Sequence, residues 1–173
     1  MLNGTFGVGK SSTAEALRSR LPNSMIFDPE MVGIMLRYVT EGVRVKAEDT
    51  DDFQDIALWR PMTVMTAAYL QRQYGRALII PMTLTNRAYF EEIRQGLREV
   101  DSDLYHFCLT ASPETIQSRL LERGDEEGCW AWQRVESGVT ALRSEQFRVH
   151  VDTEHQPVPQ VVETILSYLP LHS

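Results

Sequence analysis

Short apolar runs alternate with helical patterns of apolar residues along most of the chain. A run between turn signals predicts a buried strand, whereas apolar positions repeated every three or four residues predict a helix. Strands are predicted in SMIFD (24–28), ALIIPMT (77–83), LYHFCLTAS (104–112) and FRVHVDT (147–153). Helical patterns occupy 11–21, 29–39, 51–60, 61–74, 86–100, 113–124 and 158–169, with a kink or fresh start at Pro61. This alternation predicts an α/β fold, with a parallel sheet covered by helices on both faces.

Composition narrows the class of protein. A length of 173 residues predicts one domain over 1–173. The net charge of −7 argues against a protein that coats nucleic acid, although a local basic cleft stays compatible with it. Cys108 and Cys129 form neither a disulfide framework nor a C-x-x-C metal pair, which favours a reducing cytoplasmic compartment. Neither a signal peptide nor a membrane-spanning run is expected.

The segment Gly4-Thr5-Phe6-Gly7-Val8-Gly9-Lys10-Ser11 matches G-x-x-x-x-G-K-[ST] in full and directly precedes a helical pattern. In such a phosphate-binding loop, backbone N–H groups and the start of the helix bind phosphate oxygens. Lys10 would contact the β- and γ-phosphates, and Ser11 would supply a hydroxyl to Mg²⁺. A chance match in a glycine-rich segment is the alternative, but the full pattern is rare in a chain of this length. We therefore predict nucleotide binding, with Ser12 at the end of the site.

Only three residues precede the first glycine of this loop, although such a loop normally follows a buried strand. Either the first strand is reduced to Met1-Leu2-Asn3, or native residues lie upstream of this numbering.

Asp28 ends the predicted strand SMIF, at the edge of the sheet where ligands bind in open parallel sheets. There it could accept the proton of an acceptor hydroxyl, or hold Mg²⁺ through water. Asp28 could equally cap the helix that begins at Pro29, and the two interpretations are compatible. Glu30 is better explained as a first-turn residue that interacts with the helix dipole.

A group of arginines follows the strand at 104–112. Arg119 and Arg123 are four residues apart on one helix face and precede a polar stretch that contains Arg134. Small kinases use such arginines on a lid, here about 119–136, to exclude water and neutralise developing charge. The alternative is a solvated helix face on which the arginines pair with Glu122 or Asp125.

Other polar residues could contact an acceptor or the nucleotide base. Trp59 is predicted in the core, with Arg60 beside it contacting the acceptor. Thr83 and Arg87 lie at the carboxyl end of ALIIPM (77–82) and could bind the acceptor, while Asn86 more readily caps the next helix. Asp152 and Thr153, at the end of the last strand, could lie near the base or belong to an ordinary strand-to-helix turn.

Taken together, LNGTFGVGKSSTAEAL, FDPEMVGIMLR, DDFQDIALWR, IIPMT, YHFCLTASPETIQSRLLER and WAWQR resemble the tunicamycin resistance proteins, ATP-binding members of the P-loop kinase-like group. The resemblance implies a three-layer P-loop fold with a five-stranded parallel sheet in the order 2-3-1-4-5, and ATP bound at residues 4–12. It also implies Asp28 as the acceptor base, as in shikimate and chloramphenicol phosphotransferases, and lid arginines at Arg119 and Arg123. The sequence ends at YLPLHS without the longer basic tail linked to membrane association in the family, which argues against peripheral membrane contact.

Two functions follow as hypotheses. One is phosphorylation of a small-molecule hydroxyl, on tunicamycin or a similar nucleoside or sugar compound. The other is ATP-dependent binding and sequestration of the drug without chemistry. A nucleic-acid-dependent ATPase is disfavoured, because no acidic residue follows ALIIPMT in the Walker B position.

Overall fold

A computed structural model describes residues 1–170 of the chain. Six short parallel strands form its sheets: β1 (Leu2–Asn3), β2 (Ser24–Ile26), β3 (Ala77–Ile79), β4 (Pro81–Met82), β5 (Phe107–Thr110) and β6 (His150–Asp152). Eight α-helices connect and follow them: α1 (Lys10–Arg20), α2 (Glu30–Val39), α3 (Trp59–Tyr74), α4 (Arg87–Val100), α5 (Pro113–Arg123), α6 (Trp130–Gln133), α7 (Val135–Leu142) and α8 (Val158–Leu166).

The strands form two parallel sheets rather than the single five-stranded sheet that we predicted. One sheet has four strands in the order β4-β1-β5-β6, and the other pairs β2 with β3. The predicted strand ALIIPMT is divided at Ile80 into β3 and β4. After Phe27 donates to the Ile79 carbonyl (2.9 Å), the next bond of that ladder would need an N–H at Pro81, which proline lacks. The ladder to β2 therefore stops there.

Two apolar cores lie against opposite sides of the strands. Neighbouring residues alternate between them: Ile79, Phe107 and Leu109 belong to the core shared with α1, α5 and α8. Ile80 and Cys108 belong to the core formed with α2, α3 and α4. Because successive strand residues point to opposite faces, this alternation shows that helices cover both sides. The predicted α/β layering is therefore confirmed.

The first strand consists of Leu2 and Asn3, and it lies centrally, paired with both β4 and β5. Asn3 is completely buried. Its side-chain oxygen accepts hydrogen bonds from the backbone N–H of Gly4 (2.9 Å) and Leu84 (2.8 Å), and its amide nitrogen donates to the Leu84 carbonyl (3.0 Å). One side chain thus joins the start of the glycine-rich loop to the segment that follows β4.

The observed helix starts agree in part with those predicted from the sequence. Asn86 caps α4 and Ser112 caps α5, as their residue types predict. The segment 51–60, which we predicted to be helical, forms only a short 3-10 helix at Phe53–Asp55 before α3 begins at Trp59. Asp52 starts that turn by accepting from the Gln54 N–H, so a local hydrogen bond replaces a full helix.

Candidate functional site

The glycine-rich loop, residues 4–11, connects β1 to α1 and is called the phosphate loop below. Gly4 has a φ of +155°, and a Cβ there would lie 2.6 Å from a Val8 methyl and 3.0 Å from the Leu109 carbonyl oxygen. Gly9, at +104°, caps α1 in the left-handed region. Both positions therefore require glycine, and the loop curls so that its backbone N–H groups lead into the helix start.

Lys10 is folded over the loop. Its ammonium donates to the carbonyls of Gly4 (3.0 Å) and Thr5 (2.7 Å) and lies 5.6 Å from the centre of the Phe6 ring. Burial lowers the pKa of Lys10 to about 8, a shift that the nearby carboxylates of Glu30 and Asp28 partly oppose. The cation is thus held at the loop, with little solvent around it.

A cleft of about 600 Å³ opens in front of the phosphate loop, and we call it the phosphate cleft. Its lining combines the loop with the carboxyl ends of several strands, as expected for an open parallel sheet. The lining residues include 6–13, 28–30, Phe53, Gln54, Trp59, 81–83, Arg119, Arg123, Thr153 and 156–158. The structure therefore brings Lys10, Ser11, Ser12, Asp28, Thr83 and the two lid arginines to one cleft.

Asp28 follows β2 and reaches the cleft while it also caps α2. Its Oδ1 accepts from the Glu30 N–H (2.9 Å). The Pro29 carbonyl beside it accepts from the indole N–H of Trp59 (3.0 Å), and Trp59 is only 1% exposed. Trp59 is thus in the core, as predicted, and it supports the backbone that presents Asp28. Both interpretations of Asp28 are compatible with this geometry.

The two lid arginines on α5 have different environments. Arg119 donates to the Thr153 hydroxyl (3.1 Å), the Thr153 carbonyl (2.5 Å) and the Val8 carbonyl (3.5 Å). It therefore joins α5, the loop after β6 and the phosphate loop. Arg123 is half exposed and pairs with Asp125 (2.6 Å). Because exposed ion pairs are weak, its guanidinium can leave Asp125 more easily than the Arg119 guanidinium can leave Thr153 and Val8.

Glu154 holds the loop after β6 against the start of α5. Its carboxylate accepts from the Thr115 hydroxyl, and from the backbone N–H (2.5 Å) and hydroxyl (2.7 Å) of Ser112. The Thr115 bond and these two bonds lower the pKa of Glu154 to about 2. Thr153 and Gln156 of this loop consequently line the cleft near Arg119.

Arg134 lies away from the phosphate cleft, above a neighbouring pocket. Its guanidinium stacks on the Trp130 ring at 3.9 Å and donates to Asp51 (2.9 Å). The Trp130 indole N–H donates to the same Asp51 carboxylate (2.6 Å), and its ring meets Phe6 edge-on at 4.9 Å. These contacts join the segment before α3 to α6 across the phosphate loop.

Comparisons with known proteins agree with this geometry. A family model described as an AAA domain matches residues 1–136. The solved structure of the Deinococcus radiodurans tunicamycin resistance protein is 31% identical in sequence, with a TM-score of 0.78 over 96% of this chain and 92% of that one. This chain belongs to the tunicamycin resistance proteins, within the AAA domain family. No curated protein matches the chain in sequence.

Two further solved structures share the fold of this family member. A gluconokinase from Sinorhizobium meliloti 1021 has a TM-score of 0.65 and 23% identity, covering 96% of this chain and 87% of its own. The Mycobacterium tuberculosis APS kinase, solved with AMPPNP and APS, has a TM-score of 0.65 and 14% identity, covering 96% and 93%. At these identities the two kinases show that this chain shares their fold.

Besides Arg134, three residues predicted to contact the acceptor or the base lie outside the cleft lining. Arg60 is held by Glu92 (2.6 Å) and the Gln54 carbonyl (3.0 Å), with its guanidinium 4.2 Å from the centre of the Tyr89 ring. Arg87, in the first turn of α4, and Asp152, whose carboxylate accepts from the Glu154 N–H (2.9 Å), are both exposed. Arg60 thus contacts Glu92 of α4 and does not line the phosphate cleft, whereas Asp152 stabilises its own turn.

The sequence interpretation missed Gln54 and Gln156 as cleft residues. Gln54 donates to the Thr83 carbonyl (2.7 Å), which brings the segment before α3 to the end of β4. No local motif marks this long-range contact. Thr153, which we predicted near the base, does line the cleft.

None of the helices within residues 1–170 is both long and apolar enough to cross a membrane. The same residues contain no cluster of three or more His, Cys, Asp or Glu side chains arranged to hold a metal ion.

The lowered pKa of Lys10 predicts a pH dependence of nucleotide affinity. Below about pH 8 most Lys10 side chains of the free protein are ammonium groups, which can bind phosphate. Above that pH most of them are neutral and must gain a proton before they bind phosphate. We expect the ADP dissociation constant to rise by up to about tenfold for each pH unit above 8. Calorimetry from pH 7 to 9.5 would measure this, with Lys10→Met as a pH-independent control. A constant affinity over this range would contradict the prediction.

Proposed function

We propose that the protein transfers the γ-phosphoryl group of ATP to a hydroxyl of tunicamycin or a similar nucleoside or sugar compound. The observation that carries this proposal is that Lys10, Ser11 and Asp28 line one cleft. These residue types are the phosphate-binding cation, the metal-binding hydroxyl and the proton acceptor that phosphoryl transfer uses. The relationship to a protein named for tunicamycin resistance supports the choice of acceptor.

In this proposal the phosphate loop binds the phosphates of ATP through its backbone N–H groups, at the start of α1. Lys10 moves from the Gly4 and Thr5 carbonyls to the β- and γ-phosphates, a short change for a flexible side chain. The exposed Ser11 hydroxyl would supply an oxygen ligand to Mg²⁺, and the charge of that ion would offset the charge of the phosphates.

Asp28 removes the proton of the acceptor hydroxyl. The resulting oxygen forms a bond to the γ-phosphorus, the bond from that phosphorus to the β,γ-bridging oxygen breaks, and ADP leaves. Arg123 exchanges Asp125 for the transferred group and offsets its negative charge. Arg119 remains bound to Thr153 and Val8 and holds the lid helix in place over the loop.

Asp28→Asn is expected to lower the transfer rate by about 10²-fold. Asparagine keeps an oxygen for the cap of α2 but cannot take the proton, so the fold should be preserved. Mass spectrometry of tunicamycin after incubation with protein and Mg-ATP would detect the gain of one phosphate. Asp103→Asn, at the opposite end of the sheet, is the control. A full rate with Asp28→Asn would remove Asp28 as the base.

The same experiment separates catalysis from sequestration. If tunicamycin binds tightly by calorimetry but is recovered chemically unchanged, the protein acts as an ATP-dependent binder and the phosphotransferase proposal fails.

A further inference from the structure

A second pocket, of about 330 Å³, lies beside the phosphate loop, and we call it the side pocket. It shares Phe6, Gln54 and Thr83 with the phosphate cleft, so the two spaces are neighbours. Its other walls are formed by the start of the phosphate loop, the segment between β4 and α4, and the inner face of α7. The side pocket therefore lies where a group attached to a reacting hydroxyl could extend from the cleft.

Several polar side chains stand among the residues that line the side pocket. Thr85, Asn86 and Ser137 contribute hydroxyl and amide groups. The hydroxyl of Thr5 is buried and finds no hydrogen-bond partner among residues 1–170. Gly138 of α7 approaches Thr5 so closely that a Cβ there would lie 2.8 Å from its methyl group. This pocket therefore offers several donors and acceptors within a short distance of the phosphate loop.

The charge of the side pocket is the decisive feature. Among its lining residues in the described part of the chain, Arg134 is the only cation, and it donates to Asp51 at 2.9 Å. Asp52 also lines the pocket, and one oxygen of its carboxylate accepts from the Gln54 N–H (2.9 Å). The charge of Arg134 acts on Asp52 as well, so one guanidinium faces two carboxylates and their net charge is negative. A bound anion would therefore be repelled, whereas hydroxyl or amide N–H donors could bind to Asp52.

We propose that the side pocket binds an uncharged group of the acceptor that bears hydroxyls or amides, and that Asp52 excludes acceptors with phosphate or carboxylate at that position. This inference rests on the function proposed above, and it adds the class of acceptor and a residue that selects it.

Filling the pocket provides the first test. Ser137 is exposed on α7 and lines the pocket, so Ser137→Phe should occupy the space without disturbing the core. Thr140→Phe, exposed on the same helix outside the lining, is the matched control. With AMPPNP saturating the nucleotide site, calorimetry should show at least about a tenfold loss of tunicamycin affinity for Ser137→Phe only. AMPPNP affinity should stay within about twofold for both variants.

Two pairs of compounds test whether the side pocket excludes negative charge, and each pair has a neutral and an anionic member. The pairs are uridine with uridine 5′-monophosphate, and N-acetylglucosamine with its 6-phosphate. In the presence of AMPPNP, the neutral member of at least one pair should displace tunicamycin on the order of tenfold better than its phosphate. Asp52→Asn, which keeps the oxygen that accepts from Gln54, should reduce this preference to about twofold or less. Equal competition by both members, absence of competition by any neutral compound, or an unchanged preference in Asp52→Asn would overturn the inference.

These outcomes are distinct from failure of the proposed function, because AMPPNP binding assays need no turnover. Absence of phosphate on tunicamycin would remove the kinase proposal and leave the binding results intact. Conversely, transfer to tunicamycin that persists at the full rate in Ser137→Phe would overturn the side-pocket inference while supporting the kinase.

Discussion

Replacing Lys10 with methionine is expected to lower the rate of phosphoryl transfer by on the order of 10³-fold. The ammonium donates to two phosphate-loop carbonyls at 3.0 and 2.7 Å, whereas Arg119 reaches the loop only at the Val8 carbonyl (3.5 Å) and is otherwise held by Thr153. Arg123 also lines the cleft, but it pairs with Asp125. Transfer depends chiefly on charge stabilisation, so loss of this cation should affect the rate more than any other single change in the cleft.

The free energy of unfolding separates this effect from misfolding. Because burial lowers the pKa of Lys10 to about 8, the folded protein pays to keep the side chain charged at pH 7. Lys10→Met should therefore unfold at an equal or higher temperature than the unchanged protein, while its activity is lost. Exposed Lys46→Met is the control and should keep full activity. A stable Lys10→Met variant with near-normal activity would contradict the proposed role.

Asn3→Leu is expected to lower the free energy of unfolding by about 3–5 kcal/mol. Leucine has a similar volume but leaves three buried backbone groups without their partners: the N–H groups of Gly4 and Leu84, and the Leu84 carbonyl. Each unsatisfied group costs about 1–3 kcal/mol, and a two-residue central strand has few other bonds to compensate.

Urea denaturation with and without ADP would measure this effect. Asn23→Leu serves as the control, because exposed Asn23 makes only one long side-chain hydrogen bond, at 3.4 Å to Gly75. ADP should recover part of the lost stability, since the affected loop is the one that we expect to bind it. A loss below about 1 kcal/mol would show that the Asn3 bonds are not important for the strand.

Much of the fold could be predicted from the spacing of apolar residues. Strands buried on both faces are continuous apolar runs, so SMIF, ALII and FCL stood out, and the cap at Asn86 followed from its residue type. The division at Ile80 was missed because a short run does not reveal which partner strand each N–H faces. The helix expected at 51–60 failed because Asp52 favours a local turn over a continued helix.

The candidate site was predicted best where a motif is contiguous. The phosphate loop and Asp28 lie together in the cleft, as the order of strands implied. Arg60 could not be placed from sequence, since its partner Glu92 lies 32 residues away on another helix. The same holds for Gln54 and Arg134, whose surroundings depend on contacts between distant segments. Local pattern describes the elements well, but it contains little information about which side chains meet.

The interruption at Ile80 divides the hydrogen-bond ladders but not the scaffold around them. The phosphate loop follows β1 in the four-stranded sheet, whereas Asp28 follows β2 in the two-stranded one. The Leu2 N–H donates to the Ile80 carbonyl (2.8 Å), and α1 packs against strands of both sheets. The distance between the proposed base and the phosphate loop is therefore set by a shared frame. We expect an acceptor that is too thick or too thin for this gap to be rejected, because the sheets do not move apart to fit it.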